Sequence, residues 1–116
     1  MSDKNRDEGR QPRVKNLYVI RLDDEVLKLP KFLEANPDYR SGKPCVYVGV
    51  TSHDPKKRFK QHKDGYRSSR IAKKYGKYLM SKEFEHLNPV PDKEGEKRER
   101  ALATELRQKG YGVWQN

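Results

Sequence analysis

The run Cys45 to Thr51 (CVYVGVT) constrains this chain more than any other: dense in valine, it is the clearest β-strand in the sequence and commits the chain to a sheet. Residues 16–22 (NLYVIRL) carry the same aromatic and β-branched enrichment, with Tyr18 and Ile20 alternating against Leu17 and Val19, and read as a central strand. Lys77 to Met80 is the candidate third strand, and Tyr111-Gly112-Val113-Trp114 closes the chain as an edge strand packing Val113 and Trp114 on the core. Between strands the signals are helical. Asp54-Pro55 is an N-cap followed by proline at the first helical position, which predicts a helix from Pro55 to Lys63 stopped at Gly65. Ser68 to Tyr75 reads as another helix ended by Gly76, and Lys93 to Lys109 as the longest, with Leu102 and Leu106 at i, i+4 spacing and Gly110 as its cap. Residues 23–44 predict one or two short helices, with Pro30 opening a turn and Asn36-Pro37 ending it. Ser41-Gly42-Lys43-Pro44 is turn chemistry and Asn88-Pro89-Val90-Pro91 a loop. The fold class is α/β (α+β): a three-stranded, mainly antiparallel sheet flanked by helices.

At 116 residues the chain fits one domain, over residues 15–116, preceded by a disordered arm at 1–14 that mixes charges with Gly9 and Pro12. Only 32% of residues are apolar and 38% are charged, so the core is small and the surface crowded with charge. No apolar run approaches the ~18 residues of a membrane span, and residues 1–15 lack the apolar stretch of a signal peptide; the expectation is a soluble, cytoplasmic protein without a membrane partner. Cys45 is the single cysteine, and with His53, His62 and His86 it offers no zinc spacing; Cys45, His53 and His86 are read as structural.

The net charge of +10 points to a polyanionic partner. Its distribution sharpens that inference. Between Lys56 and Lys82 lie 11 basic residues and one acid, Asp64, while the rest of the chain is balanced, so one quarter of the sequence holds the whole surplus. A solvated lysine-rich face would carry the same charges. Interleaving with Phe59, Tyr66, Tyr75 and Tyr78 favours a nucleic-acid surface built from Lys56, Lys57, Lys60, Lys63, Arg67, Arg70, Lys73 and Lys74.

Five polar residues fall on regular structure. Tyr18 and Tyr47 lie in the first two strands; Arg58 and His62, four apart, project from one face of the helix that follows. Glu99 precedes Leu102 by three positions and Leu106 by seven, at the margin of the apolar stripe, where it can reach a site between helix and sheet. Taken singly, the tyrosines would be core or cross-strand residues, and Glu99 and His62 surface residues. Gly49 inside its strand would mark a bulge, or a position free of side chain where a phosphate can approach the backbone.

Taken together these residues resemble the GIY-YIG nucleases, a family that includes homing endonucleases, some restriction enzymes and the incision subunit of bacterial excision repair. Tyr47-Val48-Gly49 matches the second motif, and the first is reduced to the tyrosine of Asn16-Leu17-Tyr18. Arg58-Phe59-Lys60-Gln61-His62 matches the family's helical arginine and histidine, and Glu99 with Leu102, Ala103 and Leu106 its metal-binding glutamate. The first motif lacks its glycine and isoleucine, and the two tyrosines stand 29 positions apart, so residues 23–44 form an insertion. Asn116 is the candidate for the asparagine that often follows the family's glutamate.

The resemblance implies an endonuclease hydrolysing phosphodiester bonds in DNA. With no separate recognition domain in the sequence, the expectation is either a structure-directed or weakly specific activity, on structured or branched DNA with RNA as an alternative, or a partner protein that supplies specificity. It implies Mg2+ or Mn2+ on Glu99, Tyr18 as the base, and Tyr47 orienting water or phosphate. Phosphodiester hydrolysis needs an activated water, stabilisation of charge on the phosphoryl oxygens and help for the leaving oxygen. A hard cation keeps several waters and needs few protein ligands, and the planar fork of Arg58 suits a phosphate. His62 would bond a tyrosine hydroxyl or contact phosphate. A tyrosine base must overcome an ordinary pKa of about 10, which takes about 4 kcal/mol of phenolate stabilisation to reach neutrality. Two other readings compete. Pro37-Asp38 with Asp54-Pro55-Lys56 imitates the PD…DxK pattern of another nuclease class, but Pro55 suits a helix start better than the strand that pattern needs. The other is a non-catalytic DNA- or RNA-binding module using the Lys56–Lys82 surface.

Overall fold

The structure, a computed structural model, describes residues 13–115; the arm expected at 1–14 lies outside the described residues except for its last two positions, and Asn116 lies outside them too. The sheet is organised on two strands, β1 (Val14–Leu22) and β2 (Cys45–Thr51). They pair antiparallel without interruption from Asn16 opposite Thr51 to Leu22 opposite Cys45. Side chains alternate, so Tyr18, Ile20 and Tyr47 share one face while Leu17, Val19, Val46 and Val48 share the other. All seven are buried, which is why β2 reads as a continuous apolar run.

The expected three-stranded antiparallel sheet is present as β3-β1-β2, with β3 spanning Gly76–Leu79. Two short strands enlarge it to five. β4 (Val90–Pro91) pairs antiparallel with Val14 and Lys15, which corrects the reading of residues 88–91 as loop and starts β1 inside the expected arm. β5 (Gly112–Trp114) runs parallel to β2 opposite Cys45, Val46 and Tyr47. A two-residue strand has no pattern of its own to read; tertiary pairing alone makes it.

Two asparagines complete the sheet edges. The Asn88 side chain accepts from the Leu17 N–H at 2.7 Å and donates to the Leu17 carbonyl at 2.8 Å. Asn36 does the same for Val113, accepting its N–H at 2.8 Å and donating to its carbonyl at 3.0 Å. Each amide takes the place of a neighbouring strand residue and satisfies backbone groups that burial would otherwise orphan. Asn36 belongs to the insertion, which forms a 3-10 turn (Asp24–Lys28) and helix α1 (Pro30–Glu34). The insertion is part of the core: Val26 and Phe32 are fully buried, and Phe32 stacks on Trp114 at 6.2 Å between ring centroids.

Helix α2 (Pro55–Asp64) follows its sequence signals closely: the Asp54 carboxylate accepts the Lys56 N–H, Pro55 sits in the first turn, and Gly65 ends it at φ +88°. Helix α3 (Arg70–Tyr75) is capped by Ser69 and starts two residues later than expected. Gly76 ends it in extended geometry, because the same residue opens β3. Helix α4 (Gly95–Gln108) buries Leu102, Ala103 and Leu106, and a 3-10 turn over Asp92–Glu94 delays its start. Gly95 lies against Lys15 and Val50, so α4 begins on the valine face, while α2 covers the tyrosine face. β5 lines the outer edge of β2 only as far as Tyr47. Among the described residues no strand lines that outer edge from Val48 to Thr51, and there side chains from both faces border one cavity.

Candidate active site

Tyr18 and Tyr47 are each 2% exposed, with ring centroids 6.1 Å apart on the same face of neighbouring strands. Register explains the glycine between them. Gly49 stands opposite Tyr18, and a Cβ built on it would overlap the Cζ and Oη of the Tyr18 ring. The ladder runs regularly through Gly49, so it marks no bulge; the space that a side chain would take is filled by the Tyr18 phenol, and Gly49 itself lines the cavity in front of the tyrosines.

Behind the tyrosines lies His62, fully buried against the single-residue expectation of a surface histidine, with its ring edge-on to Tyr47 at 5.2 Å. Its Nε2 is 2.9 Å from the Tyr18 hydroxyl, and the Ser69 N–H points at its Nδ1 from 3.2 Å. Burial, and secondarily the Arg58 guanidinium, push its pKa down to about 4, so the ring is neutral at pH 7. A neutral ring that accepts at Nδ1 carries its proton on Nε2, and the Tyr18 oxygen therefore accepts that N–H. His62 bonds a tyrosine; it does not line the cavity in front of it.

That cavity, about 370 Å³, is walled by Tyr18, Tyr47, Gly49, Arg58 and Glu99, so the two strands, α2 and α4 deliver their side chains to one space. Arg58 donates from Nη1 to Gln61 Oε1 at 3.1 Å and the Tyr66 carbonyl at 3.2 Å, and from Nη2 to the Arg67 carbonyl at 2.8 Å. Of its five N–H groups two have no partner among the described residues and remain for a ligand. Glu99 is half-buried; desolvation raises its pKa, Glu96 adds to that, and a hydrogen bond from Gln115 Nε2 at 3.3 Å opposes it. Burial also raises the pKa of both phenols, with Arg58 opposing it at each and the Glu99 charge reinforcing it. The two phenols are close enough that a charge on either one disfavours a charge on the other.

Three wall residues escaped the sequence reading: Glu96, Arg100 and Gln115. Glu96 stands three positions before Glu99 and four before Arg100, and that helical spacing was a usable signal. Gln115 gave none, because β5 carries it there through non-local pairing; its amide oxygen accepts from Arg107 Nη1 at 3.4 Å, turning its NH2 toward Glu99.

The basic residues divide. Lys56, Lys57, Arg67, Arg70, Lys73 and Lys74 are exposed. Lys60 pairs with Asp64 at 2.8 Å, and the Lys63 ammonium donates to the carbonyls of Lys73 and Gly76 at 2.7 and 2.8 Å, tying α2 to the end of α3. Asp54 caps a helix and lies on no strand, which removes the PD…DxK reading. Cys45 is buried in the core. No group of three or more metal-ligating side chains occurs among the described residues. No described helix is long and apolar enough to cross a membrane.

A family model described as the GIY-YIG catalytic domain matches residues 39–112. The match takes in Tyr47, Arg58, His62 and Glu99; Tyr18 and Gln115 lie outside it and join the site through strand pairing. Comparison with curated proteins and with solved structures gives no match.

Proposed function

This chain belongs to the GIY-YIG catalytic-domain family, a family of nucleases generally dependent on divalent metal ions, and from that premise we propose that it is an endonuclease cutting DNA by phosphodiester hydrolysis. The observation that carries the reading is the convergence of two phenols, a guanidinium and a carboxylate on one cavity, from elements spread between Tyr18 and Glu99.

In this reading Arg58 takes the scissile phosphate. Its guanidinium is already held by the carbonyls of Tyr66 and Arg67, so little ordering remains to be done on binding. Tyr18 is the base and Tyr47, beside it, orients water or phosphate. The His62 N–H favours the Tyr18 phenolate over the phenol, because a donated hydrogen bond is stronger to an anion. Arg58 acts in the same sense and burial and Glu99 against it, so Tyr18 rests as a neutral phenol.

The donor set fits a magnesium or manganese ion: Glu99 is a half-buried carboxylate whose pKa is raised by burial and by Glu96, a position that a cation relieves. Glu99 would hold the ion with the substrate phosphate and waters, and Gln115 would fix the carboxylate's orientation. Bound there, the ion would stabilise charge on the phosphoryl oxygens and reverse the field that Glu99 imposes on Tyr18.

The purified protein is expected to nick DNA in magnesium or manganese. Glu99→Gln and Arg58→Ala should each lower cleavage at least a hundredfold, with DNA binding without metal kept within about tenfold. Wild type and variants that bind alike and never cut would instead establish a non-catalytic binding module.

A further inference from the structure

A second cleft, of about 300 Å³, adjoins the first: Val50 and Arg58 belong to both walls. Its chemistry is different. The active-site cavity contains Glu96 and Glu99, whereas among the described residues this cleft is lined by no carboxylate and by three cations, Lys15, Arg58 and Arg67. Among the described residues Asp92 pairs with Lys15 alone, at 3.7 Å. Over the cleft stands Tyr66, 56% exposed, with the Arg67 guanidinium 5.7 Å from its ring centroid.

The loop that presents this ring is tied down. The Tyr66 N–H donates to the Gln61 carbonyl at 2.9 Å, and Arg58 holds the carbonyls of Tyr66 and Arg67. Arg67 has φ +45°, a left-handed conformation that residues other than glycine adopt at a cost and that collects at ligand sites. An aromatic face held in water at the lip of a basic cleft matches one ligand chemistry: a phosphate on the cations and a planar base on the ring. A base inside a duplex has both faces covered by its neighbours and cannot use such a platform.

We propose that this cleft is the subsite for the nucleotide beside the scissile phosphate, with its phosphate on Lys15 and Arg67 and its unpaired base stacked on Tyr66, while Arg58, in the shared wall, holds the scissile phosphate itself. The substrates are then DNA strands with an unpaired nucleotide next to the cut: flaps, branches or single-stranded ends. The subsite's place beside a scissile phosphate rests on the nuclease reading; its preference for unpaired bases does not.

The test is binding in EDTA, where nothing is cut, of a flap oligonucleotide carrying 2-aminopurine at the first unpaired position and of a duplex of the same sequence whose ends are closed by hairpin loops, both flap and duplex carrying the same loops. Wild type should bind the flap more tightly and quench its fluorescence. Tyr66→Ala should lower the ratio of flap to duplex affinity about tenfold and abolish the quench, and Tyr66→Phe, which keeps the ring, should restore both. An unchanged ratio in Tyr66→Ala, or no rescue by phenylalanine, overturns the proposal. Cleavage of the same oligonucleotides in magnesium is read separately: a protein that discriminates flaps yet never cuts keeps the subsite and loses the nuclease.

Discussion

Tyr18 is held from three sides: His62 donates to its oxygen, Tyr47 flanks its ring, and Gly49 opposite leaves the space that the ring fills. Adding one methyl group at Gly49 drives the phenol out, because the atoms it meets are the far end of a buried, hydrogen-bonded ring with nowhere to rotate. Gly49→Ala is therefore expected to cut nuclease activity at least as severely as Tyr18→Phe, with DNA binding largely kept; an active Gly49→Ala enzyme would remove Tyr18 from the chemistry. His62 makes a separate prediction about stability. Its folded pKa of about 4 lies below the unfolded value near 6.5, so the unfolded chain takes up its proton first as the pH drops. The stability that neutral His62 provides is complete above pH 6.5 and is lost between there and pH 4, on the order of 3 kcal/mol. His62→Gln should flatten the decline in urea-unfolding stability across that window, and equal slopes in the two proteins would refute the neutral assignment.

Among the elements, the insertion matters most to the site although it contributes no side chain to the cavity. Asn36 binds both backbone groups of Val113, and its oxygen also accepts from Arg107 Nε at 3.2 Å. Arg107 in turn contacts Gln115, which bonds Glu99. Asn36→Ala leaves the Val113 N–H buried without its partner and should lower stability by about 2–3 kcal/mol in urea unfolding. A change below about 0.5 kcal/mol would mean that β5 is held without it. The two asparagine clasps and the two-residue β4 were not legible in advance, since a polar residue in a proline-rich stretch reads as loop. The caps of α2 were legible, because Asp54, Pro55 and Gly65 act within one turn of themselves.

At the scale of the whole molecule the relevant quantity is the field of the Lys56–Lys82 segment, which holds the chain's entire positive surplus. Not every cation there is available to DNA. Lys63 is spent on two carbonyls and Lys60 on Asp64, leaving six of the eight expected phosphate-binding residues exposed without such partners. Six phosphate contacts correspond to about a thousandfold loss of DNA affinity between 50 and 200 mM salt. Lys56→Ala should reduce the slope of that salt dependence by about 1, whereas Lys63→Ala should leave the slope unchanged and lower thermal stability instead. Affinity indifferent to salt would contradict every nucleic-acid reading of this surface.

The sequence alone determined whatever is decided over a few neighbouring residues: the two long strands from their β-branched content, the α2 boundaries from capping chemistry, and Glu99 at the edge of an apolar stripe from helical period. It also carried the order of motifs that marks the family. Tertiary structure decided which of these residues meet. The burial of His62, the need for glycine at position 49, the arrival of Gln115 at Glu99 and the parallel placement of β5 depend on register between segments far apart in the chain. Local propensities cannot encode that register, because it is fixed only when both faces of the sheet are covered and every backbone group has found a partner.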